Sequence, residues 1–325
     1  MTEREASSER AGEEASRPSS RYQRIVRWVF SLGALLLLGV LVVRAQPLVL
    51  ARHLAAANLW LLGAAALING LQVWLKAARL GGLLSPIVKV PTGLLCRYMV
   101  IGWAANVILP VRGGEVVRFA YLFSRHNLPV GTSLGIFTAE KILDGASIVL
   151  VAAFVPVLAP LPHAARLSLS LLAALTVGGY VALVIATARL KKSESAGTRW
   201  QRLLGSVARG GLAIRSPRLL SMGLLYSVGA LVCEGAIVAL TLAAFGVAAP
   251  PVAVPLVILF VNLALVAPNA PANLGAFEAG AVLALAVVGV PTSPAVAFAL
   301  GYHLVHMVPI VVAGGVTYAF TPARS

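Results

Sequence analysis

The sequence predicts an all-α fold, a polytopic transmembrane helical bundle of about eight spans with re-entrant or broken-helix segments among them. Three observations carry this expectation. The chain of 325 residues is 59% hydrophobic, 11% charged and has a mean hydropathy of +0.90; a soluble domain carries roughly 25% charge. Residues 145–162 and 235–277 contain no charged side chain, and a span needs about 20 mostly apolar residues. The apolar runs are separated by proline, glycine and asparagine clusters, the residues that break helices.

Residues 1–27 are polar, with Glu3, Glu5, Glu9, Glu13 and Glu14 among several arginines. That composition predicts a disordered cytoplasmic tail and not a cleaved signal. The transmembrane domain then covers 28–318, followed by a short tail at 319–325. Its first helix, 28–46, acts as a signal anchor, and a second, 54–75, returns to Lys76, Arg79 and Lys89. Trp60 and Trp74 fall near the ends of that second helix, where interfacial aromatics belong. A third segment, 93–109, stops at Pro110. Further helices are expected from Thr132, over 164–188, 219–246, 252–267, 276–290 and 295–318.

The net charge of +15 is gathered in the tail and in a basic loop at 189–218, which holds Arg189, Lys191, Lys192, Arg199, Arg202, Arg209, Arg215 and Arg218 against Glu194. Basic loops between apolar spans mark the cytoplasmic side and favour anionic lipid head groups. No aromatic-interleaved basic platform accompanies them, so nucleic acid is not an expected partner. If Lys76–Arg97 and 189–218 are both cytoplasmic, one ordinary crossing at 93–109 leaves an odd number of spans between them. A re-entrant hairpin over 93–128 resolves the conflict, and irregular backbone at membrane depth implies a cavity.

Beyond the tail the acids are Glu115, Glu140, Asp144, Glu194, Glu234 and Glu278, and all but Glu194 lie in or beside apolar segments. A charge at the centre of a span costs about 2.5–3.5 kcal/mol, so it has a partner or a task. Glu140 and Asp144 share a helix face, with Lys141 beside them. Two breaker segments resemble each other: Asn106, Pro110, Arg112, Gly114 and Glu115 in the first half, and Pro271, Asn273, Gly275 and Glu278 in the second. Paired interruptions of this kind point to the central site of a transporter. His303 and His306 read as a hydrogen-bonded interior pair more readily than as metal ligands, and Cys96 and Cys233 as buried small side chains. No cofactor or metal is expected.

Asn106, Leu109-Pro110-x-Arg112-x-Gly114-Glu115-x-x-Arg118 and Glu140-Lys141-x-x-Asp144 resemble the signature of the lysylphosphatidylglycerol synthase transmembrane-region, or flippase-like, family. Pro271, Gly275-x-x-Glu278 and Tyr302 resemble its second signature, and the likeness covers about 25–318. The chain departs where the family usually has Glu-Arg (here Glu140-Lys141), Pro-Gly-Gly (Pro271-Ala272-Asn273) and Tyr-Arg (Tyr302-His303).

The resemblance implies translocation of an amphipathic lipid, aminoacylated, glycosylated or polyprenyl-type, with no catalysis, since the family's aminoacyl transfer belongs to a separate soluble domain. The expected partners are anionic or phosphate-bearing membrane lipids, with a homo-oligomer or a lipid-modifying enzyme as further ones. The alternative is a non-transporting scaffold for such an enzyme. Arg112 and Arg118 are expected to hold a lipid phosphate, balanced by Glu115, Glu140 and Asp144. The substrate-binding set is then Asn106, Pro110, Arg112, Gly114, Glu115, Arg118, Glu140, Lys141, Asp144, Asn273, Gly275, Glu278 and His303. The basic bias also places the N-terminus, 189–218 and the C-terminus in the cytoplasm of a multi-pass inner or plasma membrane protein. Cysteines placed at Ser195 and Ser325 should resist impermeant thiol reagents in intact cells, and labelling of Ser195 from outside would overturn that topology.

Overall fold

The computed structural model describes residues 47–108, 113–158, 163–189, 199–265 and 271–319, with isolated positions between 36 and 43. The expected helix over 28–46, both terminal tails, Pro110 and Arg112 therefore lie outside the described residues or nearly so. Every described element is helical: α1 Pro47–Ala55, α2 Leu59–Leu84, α3 Thr92–Ile108, α4 Gly113–His126, α5 Val130–Leu158, α6 His163–Arg189, α7 Arg199–Gly210, α8 Pro217–Ala244, α9 Ala253–Ala264, α10 Ala276–Val287 and α11 Thr292–Ala319. Short 3₁₀ turns occupy Leu212–Arg215 and Pro271–Asn273. Among the described residues, α2, α8 and α11 are long and apolar enough to cross a membrane.

Local chemistry sets the ends of these helices. Asn58 caps α2, its Oδ1 accepting from the backbone N–H groups of Trp60 and Leu61 at 3.0 and 3.3 Å. Ser216 caps α8, with Pro217 in the first turn, where its missing N–H costs nothing. α10 closes at Gly289, whose φ of +79° an L side chain would resist.

Packing buries polar groups and exposes apolar ones, the reverse of a soluble domain. Leu67, Leu71, Leu225, Val232 and Val312 are exposed, whereas Asn69, Gln72, Arg79, Arg118, Glu140 and Glu278 are buried. One apolar core joins α8 to α11, and a second joins α2, α3 and α5. α3 and α4 form an antiparallel hairpin. Tyr98 stacks on Tyr121 with centroids 5.4 Å apart, and a Cβ at Gly102 would stand 2.8 Å from the Gly114 carbonyl. That close approach requires glycine at both crossing points.

Two expectations need correction. α2 continues past 75 to Leu84, so Lys76 and Arg79 are not a cytoplasmic flank; Arg79 is 4% exposed within the helix. Arg79 turns inward to carboxylates and Lys76 toward the Trp103 ring instead of marking an exit from the membrane, which leaves Lys89 and Arg97 as the exposed cations of that region. The segment 189–218 is also no plain loop. It contains α7, which packs on the start of α5 where Gly135 meets the Val207 carbonyl and Gly210 meets that of Thr132.

α11 carries Pro309 in its interior. Proline has no N–H for the carbonyl four residues back, which here belongs to Val305. Asn69 of α2 replaces that donor, its Nδ2 standing 3.2 Å from the Val305 oxygen and 3.3 Å from that of His306. Asn69→Leu should therefore cost about 1–3 kcal/mol by stranding a buried acceptor. In a Pro309→Ala background the cost should shrink, because the helix regains its own donor. Thermal unfolding of the purified variants in detergent checks this, and equal losses in both backgrounds would exclude the substitution of one donor for the other.

Candidate functional site

Asn69, Gln72, Lys76 and Arg79 recur along α2 at helical spacing and form one polar stripe. The stripe faces a cavity of about 560 Å³ lined by α2, α3, α4, α5, α8, α9, α10, α11 and the Pro271–Asn273 turn. The cavity residues Gln72, Glu234 and His306 fall near mid-length of α2, α8 and α11, the three helices able to span a membrane. The described parts of both breaker segments reach it, through Asn106 and Glu115 on one side and Ala272 and Asn273 on the other.

Two arginines anchor the charged wall. The Arg118 guanidinium meets the Glu140 carboxylate end-on, Nη1 to Oε1 at 3.3 Å and Nη2 to Oε2 at 2.7 Å, and Nη2 also stands 2.8 Å from Glu115. Arg79 donates from Nη1 to Asp144 at 2.5 Å and to the Ser227 hydroxyl at 2.8 Å, with Glu140 at 3.8 Å. Glu140 thus lies between both guanidinium groups, and Lys141 approaches Asp144 at 3.8 Å. Removing one member of such a buried pair strands the other charge and costs about 3–5 kcal/mol. Lys76 makes no ion pair among the described residues; its ammonium lies 5.4 Å from the Trp103 ring centroid.

The opposite wall is built on acids and imidazoles. Glu234 accepts from Gln72 Nε2 at 2.6 Å and from the Tyr302 hydroxyl, and its Oε1 lies 3.0 Å from His306 Nε2. Behind the wall, Glu278 Oε2 accepts the Gly275 N–H at 2.7 Å while Oε1 stands 2.6 Å from His303 Nδ1. Glu278 so caps α10 and ties it to α11 at once. Phe277 stacks on the His303 ring, centroids 4.4 Å apart. Ala272 and Asn273 both take left-handed backbone with φ of +58°. These are the positions where the resembled family has glycine, and the alanine there carries a cost of about 1–2 kcal/mol.

Of the residues singled out in the sequence, Asn106, Glu115, Arg118, Glu140, Lys141, Asp144, Asn273 and His303 line the cavity. Gly114, Gly275 and Glu278 stand behind it. Gly114 donates its N–H to Asn106 Oδ1 at 2.7 Å and would collide with the Gly102 carbonyl if it carried a Cβ. Pro110 and Arg112 lie outside the described residues. Arg118 is 3% exposed with both terminal nitrogens on carboxylates, so Glu115 and Glu140 balance its charge inside the protein. Sequence reading missed Asn69, Gln72, Lys76, Arg79 and Trp103 as cavity residues. The signal was the helical spacing of the four polar residues of α2, hidden by placing a helix end at 75. Among the described residues no group of three or more His, Cys, Asp and Glu side chains forms a metal site.

No curated protein and no solved structure matches the chain. A family model does, over residues 25–314, which takes in every cavity residue named above. The chain is a membrane-embedded helical protein belonging to the family described as Lysylphosphatidylglycerol synthase TM region.

Proposed function

We propose that the protein is a non-catalytic flippase that carries the polar head of an aminoacylated, glycosylated or polyprenyl-type lipid between leaflets. The observation that supports this best is the charged cavity at mid-length of α2, α8 and α11. A polar chamber at that depth answers the main obstacle to lipid translocation, which is moving a hydrated head group through hydrocarbon. Its described charges are matched in sign, Lys76, Arg79, Arg118 and Lys141 against Glu115, Glu140, Asp144 and Glu234.

In this reading about eight spans cross the inner or plasma membrane from a cytoplasmic N-terminus, and the α3–α4 hairpin is re-entrant. Lys76 receives the anionic part of the head group first, because Arg79 and Arg118 are already engaged by carboxylates. The acids opposite receive any ammonium or hydroxyl groups. Exchange of the arginines between carboxylates and lipid phosphate supplies the difference in affinity that a two-state carrier needs.

Purified protein reconstituted into vesicles with a head-group-labelled lipid tests this directly. The parent should equilibrate label between leaflets, and Glu234→Gln should slow it by about tenfold, the worth of about 1.4 kcal/mol. Arg118→Met combined with Glu140→Leu and Glu115→Gln removes the whole Arg118 cluster, a change that is often neutral for folding. That triple variant should melt as the parent does yet lose transport. Transport at the parental rate would make the cluster purely structural, and a parent that moves no lipid of these classes would favour the scaffold reading.

A further inference from the structure

A second cavity, of about 520 Å³, lies where α2 ends and α8 begins. Trp74, Gly82 and Ser85 form one side, Met222 and Tyr226 the other, and Lys89 stands in the connection to α3. Its described lining includes two cations, Arg79 and Lys89, and no carboxylate. This separates it from the central cavity, where each sign is matched.

The surroundings are those of a lipid-facing groove. Trp74 and Met222 are 48% and 41% exposed, beside the exposed Leu71 and Leu225. Apolar walls suit acyl chains, and Lys89, beyond the end of α2, suits the head-group level of a bilayer. Arg79 lines both cavities. Its Nη1 is committed to Asp144 and Ser227 on the central side, while its Nε is buried without a partner. One side chain therefore borders both the cationic groove and the central chamber.

We propose that this groove docks the phosphate of an anionic phospholipid, and that Arg79 is the partition through which the head group passes to the central cavity. The second clause rests on the transport reading above; the docking does not. Lys89 is the outer contact. Arg79 meets the phosphate at the inner end and releases Asp144 as it does so.

Gly82 supplies a plug for the test, because a Cβ built there meets nothing within 4 Å and leucine favours a helix over glycine. The full chain is prepared with Trp74 as its one tryptophan, Trp28, Trp60, Trp103 and Trp200 being replaced by phenylalanine. Quenching of Trp74 fluorescence by brominated phosphatidylglycerol is compared with quenching by brominated phosphatidylcholine at equal fraction. Phosphatidylglycerol should quench more strongly, Lys89→Gln should lower that preference about fivefold, the worth of one lysine at an anionic surface, and Gly82→Leu should abolish it. Equal quenching by the two lipids, or a preference that survives both substitutions, overturns the docking site. Transport by Gly82→Leu at the parental rate, in the otherwise native chain, overturns the passage past Arg79. A parent that transports nothing yet keeps its preference upholds docking and removes the transport reading alone.

Discussion

A charge withdrawn from water needs a counter-charge within reach, and most of this architecture follows from that demand on Arg79 and Arg118. Arg118 of α4 takes hold of Glu140 on α5, and Arg79 of α2 takes hold of Asp144 one turn further along α5. Three helices are so fixed about one another, beside the apolar core that they share. The α3–α4 hairpin is held at its tip by the Asn106–Gly114 contact and at its middle by Arg118. With these groups placed, the space between them is necessarily polar, and the cavity is the volume their side chains leave unfilled.

The two halves of the chain solve their interruptions differently. In the first, the break is managed by glycine, which lets the Gly102 and Gly114 backbones touch. In the second, Ala272 and Asn273 hold left-handed backbone without glycine's freedom, and Glu278 compensates by capping the next helix while binding His303. Pro309 is accommodated in a third way, by a side chain borrowed from α2. In each case a backbone group denied its regular partner finds one before it faces lipid.

Much of this was legible in the sequence. The limits of α8, α10 and α11 fell close to the expected ones because proline and glycine punctuate uniformly apolar runs there. Glu115, Arg118, Glu140 and Asp144 were identifiable because acids are scarce and their spacing fits helix faces. The end of α2 was misread because Lys76 and Arg79 satisfy the rule for cytoplasmic flanks as well as the rule for buried pairs, and one chain read in isolation does not separate the two. The amphipathic α7 was likewise hidden by the charge of its exposed face. The Glu234 cluster escaped for a different reason: its partners Gln72 and His306 lie 162 residues before and 72 residues after it, beyond the reach of any local pattern.

Those long separations carry a consequence for how the protein is made. α2 leaves the ribosome with Lys76 and Arg79 in its sequence, each opposing insertion by up to about 2.5–3.5 kcal/mol. Asp144, which pairs with Arg79, is 65 residues downstream, a delay on the order of several seconds at bacterial or eukaryotic synthesis rates. The carbonyl that engages Asn69 follows 236 residues later. Until then α2 carries charges that have not met their partners, so its seating against α5 waits for Asp144 and its seating against α11 for the last helix.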